Sequence, residues 1–536
     1  MQTRITHLLL LSVFALAVSS CRKSASPDAT AAFNRVVPAP VSSKANGGAF
    51  FLTKESTIGT LGGDATVANY LAGLLRPATG FDFPVKENDL EAAIVLELVQ
   101  DTAYAAEGYR LSIGSKQVKI SAAKPAGLFY GVQTLRQILP DAIESAEVQS
   151  REWEIATGEI TDKPVWGWRA SMLDVARHFF GMDLVKRYID LLALYKMNVL
   201  HLHLSDDQGW RIEIKSWPNL ALHGGTTEVG GDKGGYFTQE QYKELIAYAA
   251  ARFITIVPEI DMPGHTNSAL ASYGELNGGT IVPEEGRINI PANSPVLLGG
   301  KPRPTELYTG TEVGFSTLRI EKESTKRFIN DVVRELAEIT PSPYIHIGGD
   351  EAHVTKKEDY IAFVSLFSEV VRKNGKVMIG WEEIAQGNID ANAIAQHWTN
   401  PDYAKMAAEK GARIIMSPST RVYLDMQYDS LTRLGLHWAA YIEADRSYTW
   451  DPGSQVDGVD ASSIVGVEAP LWSETIDSMD DIEYLLFPRI TAVAEVGWTP
   501  AAGRSFDGYK GRIAAHGPRW KQMGIDYYPS ALIPWK

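Results

Sequence analysis

Cysteine is almost missing from this chain: Cys21 is the single one in 536 residues. One thiol excludes an intrachain disulfide and a cysteine metal cluster. Basic charge is also in deficit, with 51 Lys and Arg against 65 Asp and Glu, a net −14. Such a surface offers no positive field to a phosphate backbone, so nucleic acid is not an expected partner. The sequence has no His-Glu-x-x-His string, no Gly-x-Ser-x-Gly elbow and no glycine-rich phosphate loop after an early strand. These gaps argue against a zincin, a serine hydrolase triad and a dinucleotide fold.

The one long apolar run lies at the start, Leu8 to Val18, interrupted only by Ser12. It is too short to span a bilayer, and with Arg4 ahead of it residues 1–20 read as a signal peptide. Val18-Ser19-Ser20-Cys21 is similar to a bacterial lipobox, in which the cysteine is lipidated and becomes the mature N-terminus. The expectation is an exported lipoprotein, anchored by its lipid and facing the periplasm or the cell surface. An ordinary signal peptide with an incidental cysteine is the alternative.

The remainder of the chain divides by rhythm. Residues 21–45, rich in Ser, Ala and Pro, read as a tether. In residues 46–160 strand-like runs, Ala93 to Leu98 and Tyr109 to Ile113, alternate with helical ones such as Ala126 to Ile138, which predicts a small α+β domain. Residues 161–536 contain eight short β-rich runs: Ser171 to Val175, Val199 to Leu204, Ile254 to Ile260, Tyr344 to Ile347, Val377 to Gly380, Ala393 to His397, Arg413 to Met416, and Ile464 to Val467. Continuous apolar character, as in Phe253-Ile254-Thr255-Ile256-Val257, is what strands buried on both faces need. The predicted fold class is therefore α/β, a (β/α)8 TIM barrel preceded by a small α+β domain, with a doubly wound sheet as the alternative. In a barrel the strand C-terminal ends carry the site.

The run His346-Ile347-Gly348-Gly349-Asp350-Glu351 is the most informative. Neighbouring side chains on a regular strand face opposite ways, but two glycines allow backbone angles that turn both acids into one cavity. The same pair would also suit a solvated helix start. Its context discriminates: Asn198 to Trp210, Pro258-Glu259-Ile260-Asp261-Met262-Pro263-Gly264-His265 and Gly380-Trp381-Glu382-Glu383 each place polar groups at a predicted strand end. In that order these strings resemble glycoside hydrolase family 20, the β-N-acetylhexosaminidases, from about Pro164 to the C-terminal region.

The resemblance implies Glu351 as general acid/base and Asp350 as the residue that holds the substrate's acetamido group. It implies an aromatic box from Trp381, Trp398 and Trp472, a tyrosine hydroxyl from Tyr423 on the acetamido carbonyl, and further sugar contacts from Asp425 and Trp438. Arg169 and Glu474 would grip ring hydroxyls; their plain readings are an ion-pair partner and a helix-start acid. Asp206, Asp261 and His265 would orient Glu351, although His265 also reads as a satisfied loop histidine. An ionised Asp350 is expected to raise the pKa of Glu351. No cofactor is implied and no metal, although His201 and His203, two apart on one strand face, are a conceivable ligand pair. The expected activity is removal of terminal β-linked N-acetylhexosamine from an oligosaccharide or glycoconjugate. Disaccharide release, as by a lacto-N-biosidase, and a non-catalytic carbohydrate-binding lipoprotein are the competing readings, and the intact acid pair counts against the second.

Overall fold

The computed structural model describes residues 29–63, 65–101, 104–288, 297–298 and 301–536. The signal peptide and Cys21 lie outside the described residues. Among the described residues no helix is long and apolar enough to cross a membrane.

The N-terminal domain is a seven-stranded mixed sheet. Its strands are β1 (Ser42–Leu52), β2 (Ile58–Leu61), β3 (Val85–Glu87), β4 (Ile94–Leu98), β5 (Tyr109–Ile113), β6 (Val118–Ala122) and β7 (Trp153–Asp162), in the spatial order β1-β7-β5-β6-β4-β2-β3. Strands β5 and β6 alternate buried and more exposed residues, as a one-sided sheet requires. Helices α1 (Ala29–Asn34), α2 (Thr66–Thr79) and α3 (Pro125–Ile138) belong to this domain.

The expected tether is shorter than residues 21–45. From Ala29 the chain is folded: Phe33, Val36 and Val37 are buried, Gln137 holds the Val37 amide at 2.8 Å, and Glu495 of the barrel holds the Ala39 amide at 2.9 Å. Three apolar residues in a short segment suffice to dock it, but they are too few to register as a periodic pattern.

The second domain is the closed eight-stranded parallel barrel. Its strands are β8 (Trp168–Asp174), β9 (Val199–His203), β10 (Thr255–Glu259), β11 (Tyr344–His346), β12 (Val377–Trp381), β13 (Ile394–His397), β14 (Arg413–Met416) and β15 (Ile464–Leu471), each paired with its successor and β15 with β8. The last strand runs four residues past Val467, so Trp472 follows it directly. Helices follow most strands, including α4 (Met182–Leu194), α5 (Gln239–Ala250), α6 (Glu323–Ile339) and α7 (Lys357–Lys373). After β12 only a 3₁₀ turn, Glu382–Gln386, intervenes. The glycine-rich segment 224–235 is pinned by buried Arg211, which donates to the carbonyls of Gly225, Thr227 and Gly235.

The two domains are locked by buried ion pairs at the N-terminal end of the barrel. Lys196 Nζ donates to Asp162 at 3.0 Å, and Arg169 forms a two-bond fork with Glu107 at 2.9 and 3.0 Å.

Candidate active site

The loop after β11 brings the acid pair to the C-terminal end of the barrel. Gly348 and Gly349 have φ of +67° and +99°. A Cβ at Gly348 would lie 1.8 Å from Asp261 Oδ1, and the Gly349 amide donates to that same oxygen at 2.9 Å. Glycine is thus needed both for the left-handed backbone and for the close approach of Asp261. Glu351 itself sits at φ +44°. The outcome is that Asp350 and Glu351, one residue apart, line one cavity.

That cavity measures about 240 Å³, room for about one sugar ring, and is walled by Arg177, Trp398, Tyr423, Asp425, Trp472 and Glu474, with Trp438 at its rim. The rings of Trp398 and Tyr423 are near parallel at 15°, with centroids 6.4 Å apart, and Trp438 meets both edge-on at 6.0 and 5.9 Å. Trp438 is 55% exposed, as a mouth residue should be. Trp381 is fully buried in one aromatic cluster with Tyr423, Trp472 and Trp398. It is buried beneath Trp472, centroids 5.8 Å apart, and its indole N–H donates to Glu259 at 3.0 Å. Trp398 is held by the 3₁₀ turn after β12: its indole N–H reaches Glu383 at 3.2 Å and its amide reaches Glu382 at 3.2 Å.

A larger cavity, about 560 Å³, opens at the opposite, N-terminal end of the barrel, lined by Trp168, Phe253 and Tyr344 among others. Size does not make it the site, because its acid, Glu107, is already committed to Arg169.

Arg169 requires a correction. It is the second residue of β8, so its side chain lies at the bottom of the barrel, fully buried against Glu107 and the face of Trp498. The ion-pair reading is the one the structure supports. The arginine that enters the cavity is Arg177, just past the C-terminal end of the same strand. Its guanidinium contacts Asp206 Oδ2 at 2.9 Å and lies 4.9 Å over the Trp472 ring. Asp174 shapes that loop, accepting from the amides of Ala176, Arg177 and Ser473 at 2.8, 3.1 and 3.0 Å. The signal was in the sequence, since an arginine directly after the first barrel strand meets the strand-end rule and Arg169 does not. Arg169→Met is accordingly expected to lower stability by about 3 kcal/mol, by leaving Glu107 without its cation, and to leave kcat/KM of the folded enzyme within about twofold. Thermal unfolding and initial rates on the same preparation check both parts.

Behind the acids stand Asp206, Asp261 and His265, all buried. His265 Nδ1 is 3.1 Å from Asp206 Oδ1, and its Nε2 faces Glu351 Oε2 at 3.5 Å and Asp350 Oδ2 at 3.8 Å. Asp206 and the other carboxylates around it hold His265 well above the usual imidazole pKa despite burial. Burial and Asp350 push Asp261 well above the carboxylate range.

The acid pair departs from expectation. Burial raises Glu351, but the His265 imidazole bonded to it, then Arg177 and His353, draw its pKa below the ordinary value. Asp350 carries the raised pKa, from burial first, then from Glu351 and Glu259. The positive groups beside Glu351 outweigh the effect of its burial. In the free protein burial and neighbouring acids favour the neutral form of Asp350, whereas His265 and Arg177 favour the charged form of Glu351.

Among the described residues, several buried acceptors have no hydrogen-bond partner: Asp350 Oδ1, both oxygens of Asp425, and Glu474 Oε2. All three residues line the cavity, and burial together with neighbouring acids raises the pKa of each carboxyl. Buried acceptors of this kind call for donors from a ligand. Hydroxyls and an amide N–H are such donors. Histidine and carboxylate atoms also cluster within 4.8 Å in sets such as His201, Glu259 and His346, but Glu259 is engaged there by imidazoles and by the Trp381 indole.

A closed (β/α)8 barrel whose strand ends present adjacent acids, unpaired carboxyls and parallel aromatic walls defines a carbohydrate-processing site. The glycosyl hydrolase family 20 catalytic domain matches residues 166–501, and domain 2 of the same family matches residues 34–163. The chain belongs to glycosyl hydrolase family 20. A β-N-acetylhexosaminidase of Cellulomonas fimi is 38% identical, over 93% of this chain and 97% of its own length. The Streptomyces plicatus N-acetyl-β-hexosaminidase, solved with a Thio-NAglucal ligand, is 48% identical with a TM-score of 0.87, covering 94% of this chain and 98% of that one. A mutant of that enzyme, solved with its product GlcNAc, matches equally.

Proposed function

We propose that this protein is an exo-acting β-N-acetylhexosaminidase that releases terminal β-linked N-acetylglucosamine or N-acetylgalactosamine, using the substrate's acetamido group as the nucleophile. The observation that carries the reading is the pair Asp350 and Glu351, turned by two glycines into one aromatic-walled cavity. On the sugar, the scissile oxygen and the acetamido nitrogen are on neighbouring carbons, so adjacent side chains serve adjacent substrate atoms.

Asp350 accepts the acetamido N–H and turns the carbonyl oxygen toward the anomeric carbon. Tyr423, whose ring packs against Trp472 with centroids 6.5 Å apart, steadies that carbonyl. Glu351 protonates the leaving oxygen, and the acetamido oxygen attacks as the glycosidic bond breaks, giving an oxazolinium beside ionised Asp350. Glu351 then takes a proton from water, which opens the oxazolinium with overall retention. Ordinary retaining enzymes use a second carboxylate as nucleophile, and family 20 is a recognised exception. Substrate binding also sets the protonation states. An N–H donated to Asp350 favours its ionised form, and exclusion of water disfavours the anion of Glu351.

Arg177, Asp425 and Glu474 are positioned to take the ring hydroxyls. A cavity of this size suits one sugar and favours monosaccharide over disaccharide release. Incubation with chitooligosaccharides tests the reading: N-acetylglucosamine released one unit at a time from the non-reducing end is expected. Disaccharide as first product, or binding without turnover, overturns it.

We further propose that the enzyme is exported and lipidated at Cys21, which the apolar run Leu8 to Val18 and the small residues before the cysteine support. Cys21→Ser is expected to abolish incorporation of labelled fatty acid and to shift the protein to the soluble fraction. Wild-type protein that never takes up the label contradicts this.

A further inference from the structure

The hydrogen-bonded file behind Glu351 does not end at Asp206. His203, the last residue of β9, is clamped between two carboxylates: its Nε2 lies 2.8 Å from Asp206 Oδ2, and its Nδ1 lies 2.5 Å from Glu259 Oε2. Glu259, the last residue of β10, stands in register beside His203 and His346 and also accepts from the Trp381 indole. Each of these side chains is 1% exposed or less. The file thus alternates acid and imidazole from the barrel axis to the cavity: Glu259, His203, Asp206, His265, Glu351.

We infer that His203, backed by Glu259, is a positioning residue for the acid step, holding Asp206 ionised and oriented so that His265 presents its Nε2 to Glu351. The geometry gives the reason. Asp206 Oδ1 receives His265, while Oδ2 receives both His203 and Arg177. The rotation of the Asp206 carboxylate, and with it the direction of His265, is therefore fixed from the opposite side. A carboxylate buried to this degree keeps its charge only where cations surround it, and His203 supplies one of them. Its own charge is secured by the two carboxylates that flank it, which hold it well above the usual imidazole pKa in spite of burial. His203 also packs edge-on against Trp472 at 4.9 Å, so the same ring supports the cavity wall.

The inference rests on Glu351 being the general acid, and the test separates the two claims. Glutamine at 203 can place an amide N–H near the position of the imidazole Nε2, whereas asparagine reaches only the Nδ1 position. With N,N′-diacetylchitobiose, whose leaving group needs protonation, His203→Asn is expected to lower kcat by about 10- to 100-fold with KM within about twofold. That is part of the roughly 10²- to 10⁴-fold that general acid catalysis supplies. With a 2,4-dinitrophenyl N-acetylglucosaminide the loss in the rate of the first phenol release should stay within about threefold, and His203→Gln should recover most of the chitobiose activity. If His203→Asn does not fold, Glu259→Gln, which keeps the volume and removes the charge behind His203, is expected to give the same leaving-group pattern. Equal losses on both substrates, or no loss on either, overturn the role of His203. Glu351→Gln is run alongside: if it too lacks the leaving-group pattern, the acid assignment itself fails. If it shows the pattern and the variants at 203 and 259 do not, only the role of His203 fails.

Discussion

Glu351→Gln is expected to divide substrates by their leaving groups. Protonation of the departing oxygen is worth roughly 10²- to 10⁴-fold where the leaving group is an alkoxide, so hydrolysis of chitooligosaccharides should fall by that amount. A dinitrophenyl glycoside departs without a proton and should keep most of its rate of bond cleavage. Its oxazolinium then waits for water without a base, so an initial burst of phenol followed by slow turnover is the expected time course. Glutamine matches the volume of glutamate, and Glu351 is partly exposed at the cavity wall with an oxygen 3.5 Å from His265. The loss should therefore be chemical and not a loss of fold, which thermal unfolding of the variant would verify. Uniform loss on both substrates would contradict the assignment.

Asp350→Asn is expected to fail differently. The carboxylate's work is to orient the acetamido group and to offset the positive charge that develops on it, and both are needed whatever departs. Removing one such electrostatic partner from a water-excluded site costs roughly 10²- to 10³-fold in kcat. That loss should be similar for chitobiose and for the dinitrophenyl glycoside, because the oxazolinium must form in either case. Asp350 is buried beside Asp261, and burial and Glu351 raise its pKa. A neutral amide is therefore tolerated by the fold, and a folded but slow enzyme is the predicted product. A leaving-group dependence equal to that of Glu351→Gln would refute the division of labour.

Much of this arrangement was legible in the residues. The barrel strands could be read because burial on both faces makes them short, mostly apolar runs, Ile414-Ile415-Met416 being a plain case. The acid pair could be read because Gly348-Gly349 ahead of two carboxyls has few structural uses. What escaped was set by position along a strand and by through-space partners. Arg169 and Arg177 flank the same strand, and only the strand's direction decides which one reaches the cavity. The lowered pKa of Glu351 depends on His265 and Arg177 meeting it across three different loops. The folded segment from Ala29 escaped because Phe33, Val36 and Val37 gain their burial from distant parts of the chain.

The central claim is that the substrate's own acetamido oxygen is the nucleophile, and one comparison tests it most directly: kcat/KM on p-nitrophenyl β-N-acetylglucosaminide against p-nitrophenyl β-glucoside. The glucoside keeps the leaving group and the ring hydroxyls and replaces only the internal nucleophile with a hydroxyl. Intramolecular attack carries an effective concentration of about 10⁵ M or more, so the glucoside should be poorer by at least about 10³-fold. Comparable kcat/KM on the two substrates would contradict the account and would place the nucleophile on the enzyme.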